Sequence, residues 1–249
     1  MMALLWTYLI VLPLFALSTI FCGTLSVISS LFDKTGRKAI EIARAWSRSL
    51  LGIARVRVIV EGLEKIDPTE SYVFASNHLS YMDTPVALAR IPVQFRFLAK
   101  SGLFKIPFLG THLAQAGHIP VPREDPRAAV KTLTLAANKI QSQHTSLLVF
   151  PEGGRSEDGM LHDFKEGGAY IAIKAQVPLV PIAIIGTREI LPMHGTVFHP
   201  GQVLLRIGDP IPTQGLTLRD RQALTEAAHE QVAALLRPAS GIPSAVSPS

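Results

Sequence analysis

The chain has 249 residues, 48% of them apolar, with a formal charge of +5 and a pI near 9.5. That share of Val, Ile, Leu and Phe builds a real core, which excludes a disordered or collagen-like chain, and the length suits one large domain better than two. A single Cys excludes an internal disulfide and a Cys-based zinc site, while the basic balance favours anionic partners: nucleic acid, anionic lipid or a phosphorylated substrate.

Residues 1–32 contain no Asp, Glu, Lys or Arg, and 23 of them are apolar. Such a run exceeds the roughly 20 residues needed to cross a bilayer. No basic stretch opens it, no A-x-A-like site follows a short apolar core, and Phe21 stands before Cys22 where a lipoprotein signal has a small residue. A membrane anchor is expected, with a buried core helix as the alternative. Pro13 and Gly23 leave a straight span, a re-entrant hairpin and an interfacial helix all open.

Asp33 to Arg57 carries seven basic and two acidic residues, which places this flank on the cytoplasmic side by the positive-inside rule. At 100° per residue, Arg37, Arg44, Arg48 and Arg55 fall within about 20° of one line. Ile42, Trp46, Leu50 and Ile53 lie opposite, the pattern of a basic amphipathic helix resting on anionic lipid, with packing of that apolar stripe on its own domain as the alternative.

Beyond it, β-rich runs alternate with helical ones. Arg57–Val60, Tyr72–Ala75, Gln94–Ala99, Ser146–Phe150, Leu179–Ile185 and Val203–Ile207 read as strands. Pro126–Gln141 reads as a helix capped by Asp125, with Val130, Leu133, Ala137 and Ile140 as its apolar face; Arg219–Leu236 is a second. The alternation predicts an α/β fold, a sheet covered by helices, preceded by an N-terminal membrane-binding helical segment. Residues 1–56 then form the anchor and basic helix, 57–237 the main domain, and 238–249, rich in Pro, Ser, Gly and Ala, a disordered tail.

Four motifs carry the chemistry. In Asn77-His78-Leu79-Ser80-Tyr81-Met82-Asp83, five residues turn a regular helix by 500°, so His78 and Asp83 meet only if His78 sits in a strand-to-helix turn and Asp83 opens the helix. A carboxylate on one imidazole nitrogen fixes the tautomer and leaves the other to take a proton from a hydroxyl. Asp83 before Thr84-Pro85 equally suits a helix N-cap. Phe150-Pro151-Glu152-Gly153-Gly154-Arg155-Ser156 offers a tight turn whose N–H groups approach an anion, Arg155 for a phosphate, and Glu152 to hold an arginine; a plain surface turn fits as well. Gly117-His118-Ile119-Pro120-Val121-Pro122-Arg123 is a constrained extended run ending in a cation, and Val177-Pro178-Leu179-Val180-Pro181-Ile182 is a strand bracketed by prolines.

In this order the four motifs resemble the blocks of the PlsC-type glycerolipid acyltransferases, the 1-acylglycerol-3-phosphate O-acyltransferases, over roughly residues 55–210. The resemblance implies a glycerol-3-phosphate acyltransferase-like fold, His78 as general base and Asp83 as its orienting carboxylate. It implies an acceptor phosphate site of Arg123, Glu152, Gly153 and Arg155, with Lys100 adding a charge, and Val177–Ile182 shaping the acyl-donor side. Backbone N–H groups near His78 are the candidates for the thioester oxyanion. Pro120 and Gly154 depart from the family pattern, which usually has an aromatic or aliphatic residue and a Thr there.

The expected function is acyl transfer from acyl-CoA or acyl carrier protein to lysophosphatidic acid, giving phosphatidic acid, with no metal or cofactor, no nucleic acid, and anionic membrane lipids as partners at the cytoplasmic face of the plasma membrane. Glycerol 3-phosphate or another lysolipid, including a lyso-aminolipid, is the alternative acceptor. Thioester hydrolysis and non-catalytic lipid binding are the other classes.

Overall fold

The computed structural model describes residues 1–106, 109–122 and 125–237. Helix α1 (Met2–Trp6) passes through a π-helical turn, Thr7–Val11, into α2 (Leu12–Ser30). Met2–Ser30 is thus one 29-residue helix, long and apolar enough to cross a membrane. Pro13 has no N–H to donate and follows directly on the wide turn, in which Leu12 N–H reaches back to Thr7 O.

One stripe of this helix belongs to the domain. Thr7 Oγ1 accepts from Phe198 N–H at 3.1 Å, Val11 is fully buried, and the Phe15 ring lies 5.0 Å from that of Phe198. Further along, Ser18 bonds Ser49 at 2.6 Å, Thr19 accepts from Trp46 Nε1 at 3.0 Å, and Ser26 bonds His112 at 2.6 Å. Positions 7, 11, 15, 18, 19 and 26 fall along one face, linked by spacings of three, four and seven residues. The other side leaves Leu9, Leu17, Ile20 and Phe21 exposed.

Helix α3 (Arg37–Ile53) packs between α2 and the sheet and buries Ala39, Ile40, Ala43, Ser47, Leu50 and Leu51. The expected arginine stripe is broken there. Arg44 is half-buried and donates to the carbonyls of Ile91, Pro92 and Val93, while Trp46 turns to α2. Arg55 lies past the helix end, with its guanidinium 5.8 Å from the Trp6 ring. Satisfying three carbonyls at a chain bend outweighs leaving Arg44 in solvent. The apolar side of α3 is therefore covered by protein.

The remaining elements are β1 (Val56–Glu61), β2 (Val73–Ser76), α4 (Asp83–Arg90), β3 (Phe95–Lys100), α5 (Leu109–Gln115), β4 (Ile119–Val121), α6 (Pro126–Gln143), β5 (Ser146–Val149), α7 (Gly167–Ala175), β6 (Leu179–Ile185), α8 (Thr187–Ile190), β7 (Gly201–Ile207) and α9 (Arg221–Leu236). The described strands form one seven-stranded sheet in the order β1-β7-β6-β2-β5-β3-β4, parallel except where β7 runs against β6. Side chains alternate between two cores: Phe74 and Leu148 face one, Val73, Ala75, Leu147 and Val149 the other. The first is closed by α3 and α4, the second by α6, α7 and α9. A parallel sheet buried on both faces needs such near-continuous apolar strands.

The six expected strands are present, shifted by a residue or two at most. β4 is additional, and it forms from the extended run Gly117–Arg123. Pro120 is accommodated because, among the described strands, β4 is an edge paired with β3 alone. In α6 the Asp125 carboxylate caps the N–H groups of Arg127 and Ala128, but Val130 is 52% exposed and the buried face is Ala136, Ala137 and Ile140. The expected tail, 238–249, and Arg123 lie outside the described residues.

Candidate active site

The carboxyl ends of parallel strands form the open side of such a sheet, where ligands commonly bind. β2 ends at Ser76, and the chain is then fixed by Asn77, whose amide donates to Ile184 O at 2.9 Å and accepts Ile184 N–H at 2.8 Å. Asn77 thus extends the β2–β6 pairing by one side chain and presents His78 beyond the strand end.

His78 Nδ1 lies 2.7 Å from Asp83 Oδ2. The same oxygen accepts from Leu79 N–H at 2.7 Å and Ser80 N–H at 2.8 Å, and Oδ1 accepts from Thr187 Oγ1 at 2.5 Å. Asp83 is the first residue of α4 and is fully buried, yet it makes no capping bond to that helix. Its bonds run backwards to the turn, so the N-cap alternative does not describe it. With Nδ1 occupied, Nε2 is the nitrogen free to act, and His78 lines a cavity of about 740 Å³. The ring stacks on Phe150 with centroids 3.8 Å apart.

Glu152, expected to hold an arginine, has its described hydrogen bonds to backbone N–H groups. Oε1 accepts His78 N–H at 2.7 Å and Oε2 accepts His162 N–H at 3.1 Å, so it ties two loops together. Burial pushes its carboxyl up, against the opposing effect of those two N–H groups. The N–H groups of His78, Leu79 and Ser80 are all committed to carboxylates, which removes them as the expected oxyanion donors. Ser156 N–H donates to His78 O at 2.8 Å and closes the Phe150–Ser156 turn onto the first motif.

Among the described residues three cations border the cavity: Lys100, Arg155 and Lys165. The Arg155 guanidinium sits 3.9 Å from the Tyr81 ring centroid, a cation–π contact that fixes its plane. Gly153 has φ of +83°, and a Cβ there would overlap the Lys165 ammonium, so only glycine fits the turn and the cation beside it. Lys165 and Thr187 escaped the sequence reading, because both lie outside the four motifs and are brought in by the fold. The structure does not place Val177–Ile182 on the cavity: Leu179, Val180 and Ile182 are buried in the two cores.

A run of rings leads away from His78. Phe150 is followed by Phe97 at 6.3 Å, His118 at 5.5 Å and His112 at 6.3 Å, and His112 bonds Ser26 of α2. His118 Nδ1 accepts Phe97 N–H at 2.9 Å, and burial, helped by His112, Arg96 and Lys139, pushes its pKa well down. The cavity wall therefore extends from the base to the apolar helix without a charge on either histidine, since burial also lowers His112. Among the described residues no group of three or more His, Cys, Asp or Glu is placed to hold a metal.

A family model described as Acyltransferase matches residues 57–185. The chain is 35% identical to the chloroplastic 1-acyl-sn-glycerol-3-phosphate acyltransferase BAT2 of Brassica napus, over 73% of this chain and 53% of that protein. It is 31% identical to the human 1-acyl-sn-glycerol-3-phosphate acyltransferase alpha, over 73% of this chain and 64% of the human one. A Chlamydomonas reinhardtii 1-acyl-sn-glycerol-3-phosphate acyltransferase is 30% identical over 94% of this chain and 68% of its own length. The chain thus spans about half the length of the plant relatives and more of the others. The crystal structure of the lysophosphatidic acid acyltransferase PlsC from Thermotoga maritima superposes with a TM-score of 0.76 at 27% identity, covering 94% of this chain and 95% of that one. On this likeness in sequence and fold, the chain belongs to the acyltransferase family, of the PlsC type.

Proposed function

We propose that the chain is a 1-acylglycerol-3-phosphate O-acyltransferase, moving an acyl group from acyl-CoA or acyl carrier protein to the free hydroxyl of lysophosphatidic acid. The His78–Asp83 pair, set in a cavity bordered by Lys100, Arg155 and Lys165, carries this assignment. His78 Nε2 takes the acceptor hydroxyl proton as the oxygen attacks the thioester carbonyl. The C–S bond then breaks, and the leaving thiolate takes the proton from the imidazolium. Asp83 holds the tautomer and stabilises that cation; base catalysis of this kind contributes about 10²–10⁴ in rate. Arg155, with Lys100 and Lys165 beside it and Gly153 shaping the turn, receives the acceptor phosphate, since guanidinium and phosphate pair by two parallel hydrogen bonds. Arg123 is assigned to the same phosphate from its motif alone. Glu152 serves this site through the loops it joins.

The exposed apolar side of Met2–Ser30 holds the chain on the membrane. The stripe from Thr7 to Ser26 is bonded to the domain at both ends, which favours a helix lying in the interface over one standing across it. The basic flank after Ser30 supports the cytoplasmic face of the plasma membrane as the side on which the domain lies. Residues 1–56 and 57–237 act as anchor and acyltransferase domain. Transfer from a labelled acyl thioester to lysophosphatidic acid in vesicles tests the assignment: labelled phosphatidic acid supports it, and labelled free fatty acid in its place makes the chain a hydrolase.

A further inference from the structure

At the opposite end of the sheet, where the chain enters β3 and β5, a second cavity of about 340 Å³ is lined by Gln94, Arg96, His144, Thr145 and, from the segment after α2, Lys34 and Arg37. Arg96 is 3% exposed. Nη1 donates to the adjacent carbonyl of Phe95 at 3.2 Å, and Nε is buried with no hydrogen-bond partner. Among the described residues no carboxylate forms an ion pair with it. The nearby Asp33 is already engaged by Thr35 N–H, Thr35 Oγ1 and Lys38 N–H.

Its other charged neighbours are Arg37, Arg44 and Lys139. Gly117, at φ +78°, lets two cations close in: a Cβ there would lie 3.1 Å from Lys139 Nζ and 3.2 Å from Arg96 Nε. Lys139 is held by Gly117 O at 2.7 Å. Burial, and next to it Arg37, lowers the Arg96 pKa to about 10, so it stays charged at neutral pH. A buried charge without a partner is costly, and a cluster of cations without a paired carboxylate is more so. Among the described residues no anion fills that role.

We propose that the Arg96 cavity is a second phosphate-binding site, at the end of the sheet away from His78, and that it takes the phosphate of an anionic lipid. The guanidinium fork matches the oxygens of a phosphate by parallel hydrogen bonds, which a halide cannot offer. Lys34 and Arg37 follow α2 within seven residues, and between them and the helix Leu31 and Phe32 are 73% and 79% exposed. The rim of the cavity therefore sits beside an apolar surface suited to the headgroup boundary. Only the lipid source rests on the membrane association proposed above; the phosphate site stands on the side chains.

The test uses the full chain in an Arg155→Gln background, which weakens the phosphate site at the His78 cavity equally in every protein compared, with and without Arg96→Gln and, separately, Arg37→Gln on the exposed rim. Inorganic phosphate is titrated while thermal unfolding is followed, and flotation compares phosphatidylcholine vesicles with ones containing phosphatidylglycerol. Phosphate is expected to raise the Tm unless Arg96 is replaced. Binding to the anionic vesicles is expected to weaken about tenfold in Arg96→Gln and less in Arg37→Gln, with neutral vesicles unaffected. A phosphate response with no Arg96-dependent vesicle binding overturns the lipid source. Equal behaviour of all proteins in both arms overturns the site, and Arg37→Gln decides it should Arg96→Gln fail to fold. Loss of binding to every vesicle would count against the membrane association, while the phosphate titration still decides the site.

Discussion

Thr187 Oγ1 donates to Asp83 Oδ1 at 2.5 Å although 104 residues separate the two in the chain. Through it α8 steadies the carboxylate that orients His78, and the bond lies wholly inside the protein. Thr187→Val keeps the shape and removes the donor. The expected result is a kcat about tenfold lower with KM little changed, and a loss of about 1–3 kcal/mol in stability. Steady-state kinetics and urea unfolding read both. An unchanged kcat would mean that Leu79, Ser80 and His78 hold the carboxylate by themselves.

Arg155 stacks on Tyr81 and borders the cavity with Lys100 and Lys165. Arg155→Gln should raise KM for lysophosphatidic acid about tenfold or more, because charge-assisted hydrogen bonds contribute about 1.5–3 kcal/mol. An acceptor lacking the phosphate monoester should lose nothing further. Equal loss for both acceptors would place the phosphate elsewhere.

His118 titrates well below its ordinary value of 6.5 because it is buried beside His112, Arg96 and Lys139. The folded chain therefore binds fewer protons than the unfolded one as pH falls below 6.5. Stability is complete above that value and declines as pH drops towards the folded pKa, by up to about 1.4 kcal/mol per pH unit for one proton. His118→Asn keeps an acceptor for Phe97 N–H and should flatten that decline, leaving the smaller contribution of His112. Urea unfolding between about pH 5 and pH 7 measures the slope. Identical slopes would show that other groups govern the acid side.

On the apolar helix the two faces should separate. Leu17 and Ile20 are 63% and 67% exposed, whereas Val11 is fully buried. Leu17→Glu with Ile20→Glu should leave the Tm almost unmoved and weaken vesicle binding at least about tenfold, each apolar side chain contributing about 1.5–3 kcal/mol when buried in lipid. Val11→Asp should instead destabilise the fold. If both changes act on Tm alone, the exposed side is not the membrane face.

Much of this was legible in the sequence, for reasons that differ by element. The strands β2, β5 and β6 are continuous apolar runs bounded by turn residues, so their pattern alone places them. His78 and Asp83 were readable because their spacing requires the strand-to-helix turn that the structure has. Arg44 was not, since a helical wheel cannot know that the Ile91–Val93 bend needs three donors. Glu152 joins two loops through backbone N–H groups, a role that carries no sequence signal. Lys165 and Thr187 arrive from distant segments by tertiary packing. Val177–Ile182 was linked to the acyl donor by the resemblance alone; it leads into β6, an interior strand between β7 and β2, with Pro181 placed where the β7 ladder stops.

The most direct measurement is acyl transfer to lysophosphatidic acid in vesicles by wild type and by His78→Ala, both shown folded by their unfolding curves. The His78–Asp83 geometry predicts product from wild type and a loss of at least about a hundredfold in the variant, with vesicle binding intact. A folded, membrane-bound His78→Ala chain that transfers acyl groups at the wild-type rate would contradict the assignment of His78 as the base.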